Sequence, residues 1–185
     1  MVNNKNSKIW GPFTWYAMHS IAYQQPQNNS SFPKEVKDNL HTFYTSLGDL
    51  LPCPICKKDY RKILLYRKIK HQNGNQISRW TFDIHNYVNS KLKKKMFSLQ
   101  EAKKIYTNEI QHTKLQKFVY HILEISNTTN FQSRKKLIQS FVFLYPTSPV
   151  KIKLQEYITK NPIHKVKVSK ELTEYIKNMS KLITI

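Results

Sequence analysis

Apolar side chains recur every three or four positions through most of the chain, and that period commits it to amphipathic helices packed on one another. Phe13, Ala17 and Ile21 follow Gly11-Pro12 and predict a first helix ending near Gln25-Pro26, with Pro12 at the first position, where its missing N–H costs nothing. Pro33 opens a second stripe, Val36, Leu40, Phe43 and Leu47, which predicts a helix stopping around Gly48. A third helix is expected from Pro54 to about Ile69, with Lys57, Lys58, Arg61 and Lys62 on its charged face. Asn73-Gly74-Asn75 marks a turn, and Trp80, Ile84, Tyr87 or Val88, and Leu92 predict a fourth helix from Ile77 to about Met96. Ser98-Leu99-Gln100-Glu101 has the form of a capping box and predicts a short fifth helix to about Gln111.

From Thr113 the character changes. Leu115, Phe118, Val119, Ile122 and Leu123 predict another helix, and Asn127 to Ser133 is a polar break. Arg134 to Tyr145 and Ser169 to about Leu182 read as helices, whereas Val150 to Leu154 and Val166 to Val168 alternate as short strands do. The expected organisation is an all-α domain over 1–112 and an extension over 113–185 that is mainly helical, with an α+β reading open.

Hydrophobic residues make up 39% of the 185, including 11 Tyr and 9 Phe, enough for a packed core rather than a disordered chain. No apolar run approaches the roughly 18 residues of a membrane span. Met1 to Lys5 lacks the apolar stretch of a signal peptide, so a cytoplasmic address is expected. The formal charge of +20 predicts attraction to acidic partners, and a basic nucleic-acid-binding module is the alternative function it raises. Its lysines are spread along the chain, however, which fits a solvated surface better than a single footprint.

Only two cysteines occur, as Cys53-Pro54-Ile55-Cys56. At the start of a helix such a pair can form a small-loop disulfide that exchanges readily, and the helix dipole with Lys57 and Lys58 favours the thiolate. A closed zinc site needs four ligands, and the candidates His71 and His85 are not at finger spacing. Trp15 and His19 share one face of the first helix; core packing or a planar ligand would each account for them. His85, Asn86 and Asn89 form a polar cluster on one face of the fourth helix, which a polar ligand would satisfy.

Three segments together, Trp10 to His19, Leu51 to Cys56 and Trp80 to Leu92, resemble in order and spacing the signature segments of the Erv/ALR sulfhydryl oxidases. The likeness covers about residues 8–112 and is strongest toward members encoded by large nucleocytoplasmic DNA viruses, particularly over Trp80 to Lys95. It implies a four-helix bundle with a short fifth helix, holding FAD. By resemblance Gly11, Thr14, Trp15 and His19 line the FAD pocket, with His85, Asn86, Val88, Asn89 and Lys91 or Leu92 opposite. Lys94 would meet the pyrophosphate and Tyr106 the adenine, where many cellular members carry Trp. Cys56 would be the sulfur next to the flavin and Cys53 the one attacked by substrate, with oxygen reduced to hydrogen peroxide.

The resemblance also implies a homodimer through the first two helices and a place in the host cytoplasm, viral factory or virion. Cellular members often add a second cysteine pair on a flexible tail. This chain has none, so electrons are expected directly from a thioredoxin-like carrier or client protein dithiols. The extension has no counterpart in the resemblance; dimerisation, carrier binding or nucleic-acid binding would each suit it.

Overall fold

The structure, a computed structural model, describes residues 7–124 and 130–183; Met1 to Lys5 and part of the polar break expected over 127–133 lie outside them. Among the described residues there are helices and no strands. The first five helices are α1 (Ser7–Tyr23), α2 (Lys34–Leu50), α3 (Pro54–Tyr66), α4 (Gly74–Lys91) and α5 (Leu99–Tyr106). The extension adds α6 (His112–Phe118), which continues as a π-helical stretch Val119–Glu124, then α7 (Phe131–Leu144), α8 (Pro149–Lys160) and α9 (Ser169–Lys181).

Local signals explain most boundaries. Asn73 caps α4 by accepting from the Gln76 N–H, and both halves of the capping box form at Ser98 and Glu101. Pro12 is a correction: α1 begins at Ser7, so the proline lies inside the helix. It forfeits only the hydrogen bond to the Lys8 carbonyl, and its ring is exposed. α4 ends at Lys91, short of Met96, because Lys93 takes the left-handed conformation (φ 52°) and the Lys94 N–H returns to the Asn89 carbonyl at 2.8 Å.

The strands expected in the extension are not found. Val150 to Leu154 lies in α8, which Pro149 and the Ser148 cap start. Val150 and Leu154, four apart, are buried together while Ile152 is 59% exposed, so the working period is that of a helix. Val166 to Val168 is extended and follows a short 3₁₀ turn (Ile163–Lys165), with no strand beside it among the described residues.

One continuous apolar core runs through both parts of the chain. α1 packs on α4, α5 and α6, while α2 packs on α3 and most extensively on α7. Phe43 of α2 meets Phe118 of α6 at a ring separation of 6.1 Å, and Phe118 meets Phe141 of α7 at 5.5 Å. Buried hydrogen bonds register the bundle: Tyr44 Oη donates to the Met18 carbonyl at 2.8 Å, and Tyr60 Oη to the Tyr44 carbonyl at 3.0 Å. Gly74 opens α4 where a Cβ would stand 2.0 Å from the Pro26 carbonyl oxygen, so only glycine allows α4 to start this close to the loop after α1. No described helix is long and apolar enough to cross a membrane.

Candidate active site

Cys53 and Cys56 are joined as a disulfide at the start of α3. Cys53 is the N-cap, its Sγ accepting from the Cys56 N–H at 3.2 Å, so both sulfurs sit at the positive end of the helix. The two differ in what they face. Cys56 lines a cavity of about 680 Å³ enclosed by α1, α3, α4 and α5, whereas Cys53 is not among its lining residues.

The cavity gathers residues that the sequence holds far apart. Gly11, Thr14 and Trp15 come from α1; His85, Val88, Asn89 and Lys91 come from α4; Leu92, Lys94 and Tyr106 follow. Trp15 stacks on His85 with ring centres 3.9 Å apart and planes 5° from parallel. His85 Nδ1 lies 2.9 Å from His19 Nε2, and His19 stacks in turn on Tyr106 at 4.2 Å. The left-handed turn at Lys93 brings Lys94 to the cavity, and Lys91 bridges to Asp59 of α3 at 2.9 Å.

Two of the expected site residues stand apart from the lining. His19 is fully buried behind His85. Asn86 uses both ends of its amide on the backbone of Phe97, donating to the carbonyl at 2.8 Å and accepting from the N–H at 3.1 Å. It fixes the segment that leads into α5. Sequence reasoning passed over Trp10, Leu51, Ile105 and Lys114, all of which line the cavity. Lys114 lies in the extension, with its Nζ 5.0 Å from the Tyr16 ring centre. No spacing signal could have joined it to residues a hundred positions away.

The lining suits a flat aromatic ligand with an anionic part. It offers the stacked Trp15–His85 pair, a further aromatic in Tyr106, and the ammonium groups of Lys91, Lys94 and Lys114. Trp10 Nε1 on the lining and His19 Nδ1 behind it are among the buried atoms of the described residues with no hydrogen-bond partner within the protein. Among the described residues no group of three or more His, Cys, Asp or Glu could hold a metal.

Burial, and then the neighbouring His85, push the His19 pKa well below its ordinary value. Burial and then Lys94 push His85 down to about 4. Both imidazoles are therefore neutral at pH 7, and either can donate to the other. In the unfolded chain they take up protons near pH 6.5, so acid draws the equilibrium toward unfolding. Their contribution is complete above about pH 6.5 and is lost as pH falls toward 4. Thermal melts from pH 7 to pH 5, where carboxylates are still mostly ionised, should show a falling midpoint, and His85→Asn should flatten the fall. An equally steep fall in the variant would remove His85 as a cause.

The family model described as the Erv1 / Alr family matches residues 12–107. The chain is 34% identical over 97 residues to a probable FAD-linked sulfhydryl oxidase of Acanthamoeba polyphaga mimivirus, covering 50% of this chain and 65% of that protein. A putative FAD-linked sulfhydryl oxidase of Frog virus 3 is 32% identical, again with 65% of its length covered, so the likeness spans just under two thirds of these two relatives. The FAD-linked sulfhydryl oxidase of African swine fever virus (Kenya isolate) is 32% identical over 56% of this chain and 85% of its own. The crystal structure of the yeast Erv1 core is similar in fold, with a TM-score of 0.52 and 24% identity over 57% of this chain and 87% of that one. With the family model matching just over half of the chain, and the cysteine pair and the Trp15–His85 stack both inside the matched span, the chain belongs to the Erv1 / Alr family.

Proposed function

We propose that the protein is an FAD-dependent thiol oxidase that makes disulfides in carrier or client protein dithiols, passing the electrons through Cys53 and Cys56 to oxygen. One observation carries the reading: Cys56, bonded to Cys53, opens onto the cavity lined by Trp15 and His85, while Cys53 does not. Residues 1–112 are proposed as the FAD-binding unit, with 113–185 as an extension packed upon it.

The chain's own part begins at Cys53. A substrate thiolate forms a bond to Cys53 Sγ, the Cys53–Cys56 bond breaks, and Cys56 leaves as a thiolate facing the cavity. The second substrate thiolate then attacks the substrate sulfur of the mixed disulfide and releases Cys53. The substrate leaves oxidised by two electrons, the cysteine pair is reduced by two, and two protons pass to solvent. Lys57 and Lys58 follow Cys56 directly and, with the α3 N-terminus, stabilise the thiolates.

FAD, when bound, supplies the two-electron acceptor that reduces oxygen to hydrogen peroxide. Trp15 and His85 would hold the flat ring system, Gly11, Thr14, Val88, Asn89 and Leu92 would shape the walls, and Tyr106 would meet the adenine. Lys94 would meet the pyrophosphate, and Lys91, paired with Asp59, would belong to the wall. His19 supports the site from behind by fixing His85, and Asn86 does so by fixing the Phe97 backbone.

The purified protein should be yellow, with an absorbance band near about 450 nm and close to one FAD per chain. It should consume oxygen on addition of dithiothreitol. A colourless protein that takes up no added FAD would overturn the proposal.

A further inference from the structure

The solvent-exposed face of α3, which begins with Ile55 at the edge of the cavity, does not have the character of an ordinary solvated surface. Ile55 is 74% exposed, Leu65 68% and Tyr66 81%, the three largest exposures among the large hydrophobics of the described residues. With Lys58 and Lys62 they fall at positions i, i+3, i+7, i+10 and i+11, which is one continuous stripe along the helix. Beside the stripe lies a depression of about 400 Å³. Pro52, Pro54 and Leu65 form its apolar parts, and Lys57, Lys58, Arg61 and Lys62 supply its charge. Cys53 sits between the two prolines.

Of the carboxylates near this groove, Asp49 neutralises Arg61 within it and Asp59 is committed to the cavity side, which leaves the charge of Lys57, Lys58 and Lys62. Asp49 holds Arg61 at 2.6 Å and accepts from Ser133 Oγ at 2.8 Å, and Asp59 pairs with Lys91 on the cavity side. Strong positive charge beside exposed apolar side chains, adjoining a disulfide that must be attacked from outside, is the complement of an acidic polypeptide with an apolar anchor.

Resting on the thiol-oxidase reading, we infer that this face of α3 is the docking surface for a polypeptide substrate whose cysteine pair lies in a segment rich in Asp and Glu. The carboxylates meet Lys58 and Lys62 and an apolar side chain meets Leu65 and Tyr66, which sets one substrate thiol against Cys53. The docked dithiol is oxidised to a disulfide as the Cys53–Cys56 disulfide is reduced, with two electrons passing to the cysteine pair and the two substrate thiol protons to solvent.

The test compares oxygen uptake with dithiothreitol and with two synthetic peptides that share one cysteine pair, one flanked by Glu and Leu, the other by Lys and Leu. At low salt, about 20 mM, where charges act over roughly 20 Å, the acidic peptide should be used about tenfold better in kcat/KM. The preference should shrink at about 0.5 M salt, where the screening length falls to a few ångströms. Lys62→Glu combined with Leu65→Ser, both on the exposed face, should abolish the preference and leave dithiothreitol turnover and flavin absorbance unchanged. Equal use of the two peptides by the native protein, or a preference that survives the double substitution, overturns the docking surface while the oxidase reading stands. Failure to oxidise dithiothreitol overturns the oxidase reading and the docking surface with it.

Discussion

Cys56→Ser is expected to abolish thiol oxidation, lowering turnover by on the order of a thousandfold or more, while FAD stays bound. Serine keeps the shape of the side chain, so the Trp15–His85 stack and the lysines of the cavity are undisturbed. What is lost is the one cysteine that lines the cavity, and with it the route by which electrons leave the cysteine pair. Cys53→Ser should also stop turnover, for a different reason: no disulfide remains for a substrate thiolate to attack. That variant retains a Cys56 thiolate facing the cavity, so it should show added absorption at wavelengths longer than the oxidised flavin's own band. The two spectra and an oxygen electrode decide the matter. Turnover in Cys56→Ser, or the long-wavelength band there instead of in Cys53→Ser, would reverse the roles assigned to the two sulfurs.

The helices were legible because their apolar stripes have a single interpretation. Leu40, Phe43 and Leu47 fit only a period near 3.6, and all three are fully buried in α2. Val150 to Leu154 was misread because Val150 and Leu154 satisfy both a period of two and a period of four. Ile152, apolar yet exposed, supplied the false middle of a strand, and the Ser148-Pro149 start signal outweighs that alternation.

The candidate site was legible to a different degree. The dithiol at a helix start follows from Cys53-Pro54 alone, but the stack of Trp15 on His85 joins positions seventy residues apart, and only the likeness of three separate segments suggested it. Asn86 shows the limit of counting polar residues on a helix face. Its amide is satisfied by a loop eleven residues later, where no sequence rule would have looked. Lys114 shows the complementary limit, since it reaches the cavity from beyond the matched segments.

The second large effect is expected from ending the chain after residue 112. Leu115, Phe118, Val119 and Ile122 are fully buried, as are Leu137, Ile138 and Phe141 of α7; α6 packs on α1 and α7 on α2, while the Val119–Glu124 stretch packs mainly on α9. A fully buried side chain of this size is worth about 1.5–3 kcal/mol, and a whole domain is stable by only about 5–15 kcal/mol. Removing the extension therefore uncovers an apolar face that a monomer in water does not tolerate. The Gln111 N–H, which donates to Tyr16 Oη at 2.8 Å, would be left at a frayed end, and Lys114 would be gone from the cavity. The pairing of two copies through α1 and α2 that the family likeness implies would use this same region. In the full chain it carries α6 and α7, and exposed positions remaining on α2 include the polar Asp38 and His41. Light scattering on a sizing column should accordingly find the full chain as a monomer of 22.1 kDa. The 1–112 fragment should self-associate or precipitate and should retain FAD poorly. A soluble, monomeric, fully yellow fragment would show instead that the extension is dispensable to both packing and site, and a full-length dimer would place the pairing surface elsewhere on the bundle.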